Sequence, residues 1–144
     1  MNFTPNILDR ARYCLEAFEL SSHGKHAELS LLDSDEVEVE HIVPQKITTK
    51  KAKREEGDWV EYLGPDAVNR HPRFVSRIGN LTLFAGALNR SASNNPFARK
   101  KAAYSESAIN ITKELAARSV FRQKQVEERS RALAEKAISL WPIP

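Results

Sequence analysis

One stretch limits this chain more than any other: Glu36 to His41, in which acidic residues alternate with Val37, Val39 and His41 before the chain meets Pro44. Valines and histidine on one side and glutamates on the other give the period of a half-buried strand. Pro44 brings no amide hydrogen to a ladder and confines Val43 to extended backbone, so the strand is expected to end there. A second short strand is expected at Leu81, Leu83 and Phe84, after Gly79 and Asn80, and Gly86 to Asn89 read as the entry to a helix. Strand, turn-rich insertion, strand and helix make a ββα unit, and the fold class is α+β.

The remaining sequence is patterned as helix. Ile7, Leu8, Ala11, Leu15 and Phe18 recur at helical spacing, with Thr4 as N-cap and Pro5 in the first turn, predicting a helix over about 5–20. Residues 46–77 are irregular and rich in charge, Gly and Pro. They read as an insertion holding a short helix near Trp59 to Leu63, with Trp59, Tyr62, Leu63 and Phe74 packing on the core. From Pro96 onward Phe97, Lys100 and Tyr104 share one side, and Ile109, Ile111 and Leu115 follow. A last helix is expected from about Arg122 to Leu140, burying Val126, Leu133, Ala137, Leu140 and Trp141, with Pro142 and Pro144 as its stop. The expected organisation is one mostly helical domain over 1–144. Its ββα core spans about 37–100, and its C-terminal helices span about 97–141.

Composition removes several classes of function. With 28% charged and 41% hydrophobic residues, the chain is neither disordered throughout nor membrane-spanning. No apolar run is long enough to cross a bilayer, and the start lacks a signal-peptide pattern, so a cytoplasmic protein is expected. The single cysteine, Cys14, excludes an internal disulfide and a zinc site of paired cysteines; its apolar neighbours read as a buried helix position. A net charge of +3 permits nucleic acid as a partner. The basic run of Lys46, Lys50, Lys51, Lys53 and Arg54 must stay in water, and a solvated face and a phosphate-contacting role weigh evenly for it.

The chemistry concentrates in Glu40-His41-Ile42-Val43-Pro44-Gln45, with Asn80 and Asn89 downstream. Phosphodiester hydrolysis needs an activated water, a cation on the phosphoryl and leaving oxygens, and fixed positions for both. His41 suits the first task, since an ordinary imidazole is a usable neutral base near physiological pH. Glu40 and the amide oxygen of Asn89 would offer two hard oxygen ligands to magnesium or manganese, leaving a water-rich ion. Asn80 would bond backbone across the loop that aligns His41 with the metal, a positioning role. Adjacent strand residues point to opposite faces, so for Glu40 and His41 to act together the strand must end or twist at that point. His23, His26 and His71 read as surface histidines, with His71 a minor candidate for phosphate contact beside Arg70, Arg73 and Arg77.

These residues carry a resemblance. Glu-His-Ile-Val-Pro-Gln at 40–45, Asn80, and Asn89 nine positions later resemble the HNH, or ββα-metal, nuclease superfamily. Ile78-Gly79-Asn80-Leu81-Thr82-Leu83, then Asn89, Ser93-Asn94, Phe97, Lys100, Tyr104, Glu114-Leu115-Ala116, Arg129 and Trp141-Pro142 are most similar to the C-terminal HNH domain of GmrSD-type, modification-dependent restriction proteins. The similarity runs from about residue 37 to the end. One departure is Glu40, where many HNH proteins carry Asp.

The resemblance implies a divalent-metal DNA endonuclease of bacterial defence against phage, placed behind an N-terminal nucleotide-hydrolysing domain or subunit and leaving 5′-phosphate ends. DNA contacts are expected from Arg90, Lys100, Lys50, Lys51 and Arg77. Arg90 and Lys100 would hold the scissile strand, although solvated helix charges are almost as good a reading of both. Two alternatives stay open: a nucleic-acid-binding or partner-docking module that no longer cuts, and an RNA-cleaving enzyme with the same site. No recognition helix or aromatic stacking series is visible that would read base sequence.

Overall fold

The computed structural model describes residues 7–23, 37–85 and 95–141. Its centre is the expected hairpin. Strand β1 (Glu38–His41) pairs antiparallel with β2 (Leu81–Phe84), Glu38 opposite Phe84 and His41 opposite Leu81. The ladder continues beyond the strands, because the Ile42 amide donates to the Asn80 carbonyl at 2.9 Å. In this register Glu40 and Thr82 turn their peptide groups toward each other, and Val37, His41, Leu81 and Leu83 turn theirs outward.

Both edges of a two-stranded sheet would therefore be open, and side chains from four helices close them. Helix α1 (Ile7–His23) sends Arg12 to the Val37 carbonyl. Lys100 of α5 (Pro96–Ser105) donates to the His41 carbonyl at 2.8 Å. Thr112 of α6 (Asn110–Lys113) donates to the Leu83 carbonyl. Arg129 of α7 (Gln123–Leu140) donates to the Leu81 carbonyl at 2.6 Å and to that of Gly79 at 3.0 Å. Burial lowers the Arg129 guanidinium to about 10, and it keeps its proton at neutral pH.

The insertion departs from expectation. It holds three helices, α2 (Lys50–Glu56), α3 (Trp59–Leu63) and α4 (Ala67–Phe74), of which only α3 was predicted. Helix α2 is made by its ends: Thr49 Oγ1 accepts the Ala52 amide at 3.0 Å, and Gly57 at φ 92° stops it. It buries Ala52 alone, so it leaves no apolar period to read. Helix α4 is amphipathic, turning Ala67, His71 and Phe74 inward and accommodating an exposed Pro72.

Two apolar clusters flank the hairpin. One joins Leu15 and Phe18 of α1 to Val37, Leu81 and Leu83; the other joins Ile42, Val43, Trp59 and Phe74 to Phe97, Phe121 and Val126. Helix α7 runs over Ile78–Asn80, a 3-10 turn whose Gly79 lies so close that a Cβ there would stand 2.1 Å from the Val126 carbonyl oxygen. Its C-terminal end corrects the predicted stripe. Val126 and Leu133 are buried, but Leu140 is 37% and Trp141 40% exposed, with Trp141 stacked on Tyr13 at 6.1 Å. In α1, Ala11, Leu15 and Phe18 are buried as expected, Leu8 is exposed, and Cys14 is only half-buried. Thr4 and Pro5 lie outside the described residues.

Candidate active site

His41 is the last residue of β1 and is half-buried. The chain around it is fixed on three sides. Lys100 holds its carbonyl, and Asn80, fully buried, clamps the residues that follow. Asn80 Oδ1 accepts the Val43 amide at 2.8 Å, and its Nδ2 donates to the carbonyls of Val43 at 2.9 Å and Val75 at 2.8 Å. This is the cross-loop bonding expected of Asn80. The third hold was not anticipated: His71 is buried in α4 and its Nε2 donates to the Pro44 carbonyl at 2.7 Å. His71 is thus no surface histidine, and its spacing from Ala67 and Phe74 on one helical face was the signal that would have placed it.

Desolvation lowers the His41 imidazole below its ordinary value, with Lys100 and then His71 pushing the same way. A neutral ring, the form that accepts a proton, is favoured.

Glu40 faces α5. Its Oε2 accepts the Tyr104 hydroxyl at 3.0 Å and lies 3.5 Å from Lys100 Nζ, which also stands 3.4 Å from Glu56 Oε2. Burial lifts the Glu40 carboxyl above the usual range, with Lys100 and Tyr104 pulling it back. Burial, followed by Glu40, pushes the Tyr104 phenol well up, so it stays a donor. Lys100 is the clearest correction. Its side chain is 2% exposed and saturated by interior partners, so it cannot present its charge to a DNA phosphate from outside. Glu56 went unremarked in sequence because it ends a run of charges that reads as a solvated face.

Two carboxylates facing one ammonium leave this cluster short of positive charge, and Glu56 Oε2 has no hydrogen-bond donor among the described residues. Such oxygens suit a hard divalent cation. Among the described residues no three His, Cys, Asp or Glu side chains converge on one point, so an ion held here would keep several waters. Asn89, the expected second ligand, and Arg90 lie outside the described residues. Lys50, Lys51 and Arg77 are exposed, as phosphate contacts must be. Among the described residues no helix is long and apolar enough to cross a membrane.

The family model for the C-terminal domain of GmrSD restriction endonucleases matches residues 1–136. Comparisons with curated proteins and with solved structures find no match.

Proposed function

The chain belongs to the family of GmrSD restriction endonuclease C-terminal domains, and from that premise we propose that it is a metal-dependent HNH-type endonuclease that hydrolyses DNA with His41 as general base. The observation that carries this reading is the setting of His41. A half-buried imidazole with a depressed proton affinity stands at a strand end whose backbone is locked by Lys100, Asn80 and His71.

In this mechanism the neutral His41 ring takes a proton from water as that water attacks the phosphorus in line. The imidazolium formed is destabilised by Lys100, which favours its rapid return to the neutral state. Glu40 and Asn89 would hold a divalent ion, magnesium or manganese. When bound, such an ion supplies charge stabilisation to the phosphoryl and leaving oxygens. Asn80 and Lys100 keep the His41 backbone from yielding when the substrate docks, and orientation of this kind is a large part of catalysis. Tyr104 fixes one oxygen of Glu40 and thereby the direction of the other. Lys50, Lys51 and Arg77 would carry phosphate contacts, which position a duplex without reading it. Target choice, including any DNA modification, would come from an N-terminal nucleotide-hydrolysing domain or subunit, in a bacterial system of defence against phage.

The test is cleavage of supercoiled plasmid by the purified chain in magnesium or manganese, with RNA digested in parallel. Nicked or linear DNA is expected with the metal and none in EDTA. Cleavage that persists in EDTA, or that is confined to RNA, rejects the reading.

A pH profile tests the base itself. Because the folded His41 value is depressed, the ring stays neutral to lower pH than a free imidazole does. The acidic limb of kcat/KM is therefore expected below the ordinary histidine value of 6.5. A limb centred at or above that value would remove His41 from the role.

A further inference from the structure

Lys100 does more than hold a strand. Its ammonium donates to the His41 carbonyl at 2.8 Å and stands 3.5 Å from Glu40 Oε2 and 3.4 Å from Glu56 Oε2. The two carboxylates thus share one cation on near-equal terms. The lysine is buried at 2% exposure, whereas Glu40 and Glu56 retain 18% and 28%. Its charge cannot withdraw into solvent. It sits under the Trp59 ring, 5.9 Å from the centroid.

An ammonium beside Glu40 opposes any dication that approaches the same carboxylate, and burial weakens the screening that would mask the repulsion. The cluster offers one way out. Glu56 Oε2 is buried without a hydrogen-bond donor among the described residues and stands 3.4 Å from the ammonium, an open acceptor apart from the Glu40 ion pair.

We propose that Glu56 is a positioning residue that sets divalent-ion affinity by drawing the Lys100 ammonium off Glu40 as the ion takes that carboxylate. This rests on Glu40 being a metal ligand. Glu56 is then coupled to the ion through Lys100, and coupling of this kind changes affinity by about fivefold or more.

Mn2+ binding by the DNA-free chain, followed by calorimetry, tests this without any cleavage readout. Glu56→Gln is expected to weaken Mn2+ binding about fivefold or more, and the weakening should disappear in a Lys100→Met background. In the wild-type chain the Lys100 ammonium resonance, followed by lysine side-chain 15N NMR, is expected to move when Mg2+ is added. Unchanged Mn2+ affinity in Glu56→Gln overturns the inference, as does an equal loss in both backgrounds, which would mean a direct charge effect. A stationary ammonium signal overturns it as well, and decides the matter alone if Lys100→Met does not fold. Mn2+ binding indifferent to Glu40→Gln would overturn the metal assignment and this inference together; binding that needs Glu40 but ignores Glu56 overturns this inference alone.

Discussion

Replacement of His41 by Ala is expected to lower plasmid cleavage about 10²- to 10⁴-fold, the usual loss when a general base is removed. The fold should survive. His41 is half-buried, its backbone carbonyl rather than its ring receives Lys100, and Ala keeps that carbonyl. Residues that hold the loop, Asn80 and His71, make their hydrogen bonds to Val43, Val75 and Pro44 and none to the imidazole. The melting temperature should shift by only a few degrees, corresponding to about 1 kcal/mol. The measurement is nicking of supercoiled DNA at saturating metal, beside a thermal melt of the same preparation. A variant that melts normally and still nicks within about tenfold of wild type would sink His41 as the base.

Asn80→Ala should act on the fold first. The side chain is fully buried and makes three bonds, to the amide and carbonyl of Val43 and to the carbonyl of Val75. Truncation leaves those groups desolvated with no partner, at about 1–3 kcal/mol for each unsatisfied group. Together with the small cavity, a loss on the order of 4 kcal/mol is expected, a large fraction of the roughly 5–15 kcal/mol that stabilises a domain. The melting temperature should fall by about 10 °C or more, and cleavage should fall even where the variant remains folded, because the loop after His41 is released. A variant melting within about 2 °C of wild type would show that Asn80 does not carry this loop.

How much of this was legible depended on distance along the chain. The hairpin could be read because period-2 alternation at Val37 and Val39, a stop at Pro44 and the apolar pair Leu81 and Leu83 are local signals. Asn80 was assigned its cross-loop bonding because its amide can both donate to and accept from backbone groups across the loop. The face of α5 was also legible, but spacing shows only that Phe97, Lys100 and Tyr104 share a side, not what stands opposite. For Lys100 the opposing carbonyl belongs to a residue 59 positions earlier. Helices α2 and α4 escaped for a different reason. Both are short; α2 buries Ala52 alone, and α4 holds Pro72 in its interior, a residue that ordinarily marks a break. Arg129 looks like a surface residue in sequence, because nothing local reports that the Leu81 and Gly79 carbonyls wait for it inside, whereas His71 carried a local signal in its spacing from Ala67 and Phe74.

The side chains that close the hairpin have a consequence for modularity. Arg12, Lys100, Thr112 and Arg129 come from α1, α5, α6 and α7, and together they stand in for the neighbouring strands that a larger sheet would supply. The hairpin that carries His41 is therefore not a cassette that can be transplanted by its motif alone. A host scaffold would have to deliver four donors to four carbonyls before the two strands could stay paired. The same arrangement governs partnership: an incoming chain meets carbonyls already engaged by side chains, so simple strand addition at these positions is closed to a companion domain.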